Sequence, residues 1–307
     1  MEKPGAVDLR LSMLIAEDAL ETTRQFISRS AESGPEASVE TGLAEAWRRR
    51  GMNRDIIDGL RAAHVWGTLG LHDIRQRYRR SVLGPLWYTL STLIMVSVLG
   101  FLYATLLQQD ASNYVPFLGV GLVVWQFLAS VANDGCTAFT SVDFLIKQVR
   151  LPLTIHVARE VWRNFLILVH NLPVVILLLI AFGKTPNWGF VLLPFGFCAL
   201  LLNGVWIGIV LGILCTRFRD VPPIVSNLMQ VAFFLTPVMW SPEILADRSW
   251  VAEYNPFYHV IEVVRAPLLG RNVDPQSWLW VGGILLAGFA AAQFLMNRYR
   301  SRVPYWL

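Results

Sequence analysis

The residues able to do chemistry are few and scattered. Five histidines (His64, His72, His156, His170, His259) and three cysteines (Cys136, Cys198, Cys215) carry the metal-binding and nucleophilic potential of the chain. No HExxH, CxxC or GxSxG spacing joins them, so no zinc site, redox pair or serine elbow is expected. One fragment approaches a phosphate loop, Gly183-Lys184-Thr185. A GxxxxGK[ST] loop needs its first glycine so that backbone amides can close around phosphate, and Leu178 stands there instead. Glu160, Glu253 and Glu262 form no acid and base constellation at a membrane face. The expectation is a chain with no catalytic residue, metal or cofactor of its own.

The elements that hold these residues are apolar. Hydrophobic residues make up 54% of the chain and the mean hydropathy is +0.47, which points to a bilayer rather than an aqueous core. Six runs, Val82 to Leu107, Val115 to Val131, Phe165 to Phe182, Trp188 to Cys215, Val221 to Trp240 and Trp278 to Met296, are near or above the ~17 residues that cross a bilayer as a helix. They are continuous rather than alternating, which favours helices over barrel strands. The predicted fold class is an all-α integral membrane protein with six transmembrane helices. Met1 to Thr41 mixes acids and bases without an apolar core, so no cleavable signal is expected and the first span serves as an anchor.

The charges give the orientation. Arg75, Arg77, Arg79 and Arg80 precede the first span, and Lys147, Arg150, Arg159 and Arg163 follow the second. Arg217 and Arg219 follow the fourth, and Arg298, Arg300 and Arg302 the last. With six spans all four clusters fall on one side, which the positive-inside rule makes cytoplasmic, together with both termini. The net charge of +4 is explained by these flanks, and nucleic acid is not an expected partner.

Two regions lie outside the spans. Ser30 to Ser38 reads as a linker, with Val7 to Ile27 a short helix before it. Ile56, Leu60, Ala63, Gly67, Leu71 and Ile74 recur at helical spacing, with Asp55, Asp58, Arg61, Asp73 and Arg75 on other faces, which predicts an amphipathic helix at the membrane interface. The chain thus divides into an extension (residues 1–53), an interfacial helix (54–80) and the six-span bundle (81–307). Ser241 to Ser277 is too charged to cross, and its four prolines predict two short helices dipping into the outer face.

Polar residues within the spans are the remaining candidates. His170 and Asn171 lie inside the third, where hydrogen bonding between helices is the simplest reading and a place on a transport path the other. Ser226, Gln230, Phe233, Pro237 and Trp240 fall within about 100° of one another on the fifth span, joining polar groups to rings. Tyr88, Thr92, Met95, Leu99 and Tyr103 form a similar row on the first. Aromatic side chains offer broad contact surface at little entropic cost, and polar groups beside them suit the wall of a path. The same rows also suit packing seams or interfacial aromatic belts.

The segment Arg77-Tyr78-Arg79-Arg80-Ser81-Val82-Leu83-Gly84-Pro85-Leu86-Trp87 resembles the signature of permeases of polysaccharide and teichoic-acid ABC exporters, the type-2 export family that includes O-antigen permeases. Phe144 to Pro152 (FLIKQVRLP), Arg217 to Pro242, Asn255 to Gly270 (NPFYHVIEVVRAPLLG) and the ending Arg302 to Leu307 are similar to the same family. The likeness covers about Leu60 to Leu307, and the extension before it departs from the compact family pattern.

The resemblance implies a homodimer of this subunit in the bacterial inner membrane, joined to two copies of a separate ABC ATPase that holds ATP and Mg. The cargo it implies is a lipid-linked polysaccharide, with O-antigen favoured by the ending and teichoic acid, capsule or another hydrophobic or amphiphilic compound as alternatives. A membrane-embedded glycosyl- or acyltransferase and an ion-coupled carrier are weaker readings, for want of a carboxylate or histidine site and of charges deep in the spans. The charged segment Ser141 to Ala158 becomes the coupling element, with Ser141, Asp143, Phe144, Lys147, Gln148, Arg150 and Pro152 toward the ATPase. Arg77, Tyr78, Arg79 and Arg80 mark the approach to the membrane. Tyr88, Thr92, Tyr103, Ser226, Gln230, Phe233 and Trp240 are the candidate conduit lining.

Overall fold

The computed structural model describes residues 52–79, 84, 86–148, 151–185, 187–242 and 250–307. The extension, Arg80 and Arg150 lie outside the described residues. Every regular element among the described residues is helical.

Two helices, α1 (Met52–Arg61) and α2 (Ala63–Tyr78), precede five elements long and apolar enough to cross a membrane: α3 (Leu86–Leu106), α4 (Ala111–Thr137), α6 (Leu153–Ala181), the unit Trp188–Arg217 that contains α7 (Leu193–Arg217), and Pro275–Trp306 that contains α11 (Pro275–Tyr299) and α12 (Val303–Trp306). Between them come α5 (Asp143–Gln148), α8 (Val221–Leu235), α9 (Trp250–Glu253) and α10 (Pro256–Leu268). The α9 and α10 pair supplies the two short helices expected before the last span.

α8 is shorter than the apolar run that predicted it. Its 15 residues rise about 22 Å, less than the ~30 Å of a hydrocarbon core. The run continues to Trp240, but Pro237 disfavours helix at the residue before it. Thr236 accordingly takes φ −87°, ψ 139° and ends the helix.

α6 begins at Leu153, well before the apolar run at Phe165. Arg159 and Arg163 shorten the apolar stretch without breaking the helix, because both are paired. Arg159 grips Asp73 through two 2.6 Å hydrogen bonds, and Arg163 donates to Asp134 at 2.8 Å. The first part of α6 is thus a charged continuation of an apolar helix.

The α1–α2 segment differs from its sequence reading. It breaks at Ala62 (φ −86°, ψ 28°), and Leu71 is exposed. The face that packs is Gly59, Trp66, Gly70 and Ile74, set against α6. A Cβ at Gly70 would lie 2.9 Å from Trp162 and 3.2 Å from the Arg159 carbonyl, so the glycine is what allows α2 so close. Asp55, assigned to a solvated face, has no exposed surface.

α4 forms the centre. Nearly all its residues from Tyr114 to Val131 are buried, and it packs against α3, α6, α7, α8 and α10. It meets α7 where Gly135 and Gly208 face each other, a Cβ on the first lying 3.1 Å from the second's Cα. Small residues here bring two backbones together, as membrane helices commonly do.

Two Schellman turns close the end away from the basic clusters. After α6, Lys184 N–H donates to Leu179 O at 2.8 Å across Gly183, whose φ is +63°. After α10, Arg271 N–H donates to Ala266 O at 2.8 Å across Gly270, with φ +69°. Only glycine holds these left-handed positions without strain. The Gly-Lys-Thr fragment is therefore a helix cap, and its glycine closes a turn rather than a phosphate loop.

Candidate functional site

The basic residues gather at one end of the bundle, joined by contacts among elements distant in sequence. Arg300, at the end of α11, meets Asp55 of α1 at 2.5 Å. Thr154, at the start of α6, donates from both its backbone N–H and its hydroxyl to the Asp55 carboxylate, at 3.0 and 2.7 Å. Arg163 draws together Asp73 of α2, Asp134 of α4 and Glu160 of its own helix. Arg217 lies over the Trp306 ring at 5.4 Å, bringing the chain's end to the end of α7.

α5 projects from this end between α4 and α6. Ser141 lies in a 3-10 turn (Thr140–Val142), and Asp143 opens the helix by accepting from Phe144 N at 2.5 Å. Ile146 is buried and anchors the helix, while the Phe144 side chain is 69% exposed. Lys147 pairs with Asp143 at 3.7 Å on the exposed side, with Gln148 beside it. Pro152 caps the start of α6, and its missing N–H and fixed φ suit the break before that helix. Beside α5 a cavity of about 350 Å³ is lined by Thr137, Thr140, Asp143, Thr216, Arg219 and Trp306, among others. α5 therefore presents an exposed apolar ring and a charged pair on a short helix anchored by Ile146.

The approach to the first span is also built. Arg77 donates to the Tyr88 hydroxyl at 2.8 Å, and Tyr78 meets Tyr88 edge to face with ring centres 5.6 Å apart. Burial, and then the neighbouring Tyr88 hydroxyl, push the Tyr78 hydroxyl well above the usual tyrosine range. These contacts tie the end of α2 to the start of α3. Arg79 caps α2 with its N–H on Gln76 O at 3.4 Å.

The two candidate conduit rows occupy separate helices that both pack on α4. Ser226 and Gln230 are exposed on α8. Phe233 is half-buried with its ring 5.6 Å from Trp125 of α4, and Trp240 is half-buried past the helix end. On α3, Tyr88 and Tyr103 are half-buried. Thr92 is buried and donates to Gln126 Oε1 at 3.3 Å, as does Asn171 at the same distance. Asn171 thus links α6 to α4, while His170 bonds within its own helix, to Leu166 O at 2.7 Å.

Sequence reasoning passed over two buried ion pairs. Glu262 and Arg265 stand three residues apart on α10, a spacing that places them on one helix face and was available as a signal. Asp55 had no such marker, because its partners lie about 100 and 250 residues away along the chain.

A basic end and five bilayer-length helices define a multi-pass helical membrane protein. Among the described residues no group of three or more His, Cys, Asp or Glu is placed to hold a metal ion.

The chain belongs to the ABC-2 type transporter family, whose domain matches residues 65–269, more than half of the sequence. It is similar to the O-antigen export system permease protein RfbA of Klebsiella pneumoniae, 26% identical over 235 residues, covering 74% of this chain and 90% of that protein. A second Klebsiella pneumoniae protein of the same description is 27% identical over the same length. The Myxococcus xanthus protein of that description is 29% identical over 202 residues, covering 65% of this chain and 78% of its relative.

Proposed function

We propose that the chain is the membrane-spanning subunit of an exporter that carries lipid-linked O-antigen polysaccharide across the bacterial inner membrane, driven by ATP hydrolysis in a separate ATPase. The observation that carries this reading is the family match over residues 65–269, together with likeness over 74% of this chain to proteins described as O-antigen export permeases. The basic end faces the cytoplasm in this reading, with both termini, because positive residues are retained on that side. α8, extended by Thr236 to Trp240, makes the sixth crossing, and α9 and α10 sit in the outer face.

Two copies of the chain pair with two ATPase subunits. The exposed apolar residues of α8, Ile224, Leu228, Val231 and Leu235, and of α3, Ile94, Val98 and Phe101, are available for the second copy and for lipid. The conduit runs where Ser226, Gln230, Phe233 and Trp240 of α8 and Tyr88, Thr92 and Tyr103 of α3 offer rings and polar groups to a glycan. ATP-driven closure of the partner acts on α5 through Phe144 and Lys147, and Ile146 passes the load to the bundle.

Labelling of single cysteines in sealed cells tests the orientation. Membrane-impermeant reagent is expected to reach cysteines at Asn113 and Thr185 but not at Lys147. Labelling at Lys147 in intact cells would overturn the topology and, with it, the place of the ATPase.

A further inference from the structure

α8 ends in carbonyls that its own helix does not pair, and within a membrane-spanning bundle an unsatisfied backbone group is costly. Four side chains capture them. Trp240 Nε1 donates to Phe234 O at 3.0 Å, Asn255 Nδ2 to Leu235 O at 3.2 Å, Arg265 to Pro237 O at 2.7 Å, and the Tyr114 hydroxyl to Met239 O at 2.5 Å. Asn255 caps the start of α10, Arg265 lies in its last turn, and Tyr114 belongs to α4.

Arg265 is the charged member of this set and has no exposed surface. Its Nε donates to Glu262 at 2.8 Å, and its guanidinium lies 3.9 Å from the centre of the Phe117 ring on α4. One planar group therefore meets α10 through Glu262, α4 through Phe117 and the broken end of α8 through Pro237. Gly121 of α4 lies beside both partners: a Cβ there would sit in ordinary contact, 3.4 Å from both the guanidinium and Val238 O.

We infer that Arg265 is a positioning residue that clamps the end of α8, residues 236–240, to α4 and α10 so that the three move as one body during transport. The clamp sets where Trp240 stands at the rim of the path, and in this respect the inference rests on α8 as a conduit wall. A guanidinium is required rather than a positive charge. The compact ammonium of lysine presents no fork to span Glu262 and Pro237 and no plane to stack on Phe117.

The test uses the full chain in complex with its ATPase. In Arg265→Lys, the complex is expected to assemble, amide exchange at 236–240 to rise roughly tenfold or more, and export to fall severalfold. Wild-type exchange at 236–240 in this variant overturns the clamp whatever export does. Faster exchange with normal export supports the clamp and rejects α8 as the wall. A second measurement stands if Arg265→Lys does not assemble: a disulfide between Gly121→Cys and Val238→Cys, in a chain whose own cysteines are alanine, should leave export unchanged. Export lost on oxidation and regained on reduction would show that the end of α8 must leave α4, and would overturn the clamp.

Discussion

Asp55 and Arg300 form a buried ion pair between the first described helix and the end of the last long one, 2.5 Å apart, with no exposed surface on the acid and 6% on the arginine. Thr154 completes the carboxylate's partners. The pair ties α1 to the starts and ends of helices that form the bundle. Removing either partner takes a direct counter-charge from a buried group, and breaking such a pair costs up to about 3–5 kcal/mol. Asp55→Asn and Arg300→Gln should each lower the thermal stability of the detergent-purified chain. The double variant should lose less than the sum, since the first substitution has already broken the pair. Additive losses would contradict a direct pairing.

At the crossing of α4 and α7, what lies nearest to Gly135 is backbone, which cannot move aside as a side chain can. A Cβ on Gly135 would approach the Gly208 backbone, while one on Gly208 would approach Val157 at 2.6 Å. Gly135→Leu should separate the helices and cost more than the ~1–3 kcal/mol of ordinary overpacking. Gly282→Leu, a site with open space around it on α11, is the matched control. Equal expression and thermal stability of the two variants would reject the close approach.

Asp110 caps α4, accepting from the Ser112 hydroxyl and backbone N–H and from Asn113. The Ser112 hydroxyl, followed by its N–H, holds the carboxyl below the usual aspartate range. A folded value below the unfolded one means that the cap contributes fully above the ordinary aspartate range and is lost as pH falls through the depressed value. Amide protection of the first turn of α4 should be unchanged from pH 8 to pH 5. Asp110→Asn should retain it and Asp110→Ala should reduce it at every pH. Loss of protection already between pH 6 and pH 5 would contradict the assignment.

Phe144 and Ile146 divide the labour on α5, one exposed and one anchored. Phe144→Ala should leave the fold and the thermal transition of the chain intact while weakening ATPase association about tenfold or more, the size of effect expected of a buried aromatic anchor. Ile146→Ala should soften the helix itself. An unchanged ATPase affinity for Phe144→Ala would remove α5 from the contact.

The path hypothesis is read through Phe233 and Gln230. Phe233→Leu keeps a large apolar group, so packing against Trp125 should survive at less than ~1.5 kcal/mol, while export should fall if the ring guides sugar. Gln230→Asp on a lipid-facing surface should cost about 2.5–3.5 kcal/mol and impair assembly, whereas a wet path accepts it. Normal export in the first beside failed assembly in the second would reject the row.

Much of the fold was legible because bilayer crossing needs length and apolarity, which single residues cannot hide. α3, α4, α6, α7 and α11 all stand on the runs that predicted them. The end of α8 was misread because apolarity continues through Val238 and Met239, whereas the backbone responds to Pro237. Leu71 and Asp55 were misplaced for a related reason: helical spacing defines faces but not which face another helix will cover, and Gly70 with Trp162 decided it. The glycine of the Gly-Lys-Thr fragment shows the same ambiguity, since a turn and a phosphate loop both call for it. Conduit rows are the least legible feature, because a seam and a path share the same residues until a second copy or a glycan is present.

The most direct measurement is ATP-dependent export by proteoliposomes containing this chain and its ATPase, with lipid-linked O-antigen loaded on the ATPase side and scored by a glycan-specific probe on the other. The account expects glycan to appear across the bilayer with ATP, not with a non-hydrolysable analogue, and not when this chain is omitted. Equal transfer without the chain, or transfer that ignores ATP hydrolysis, would contradict it.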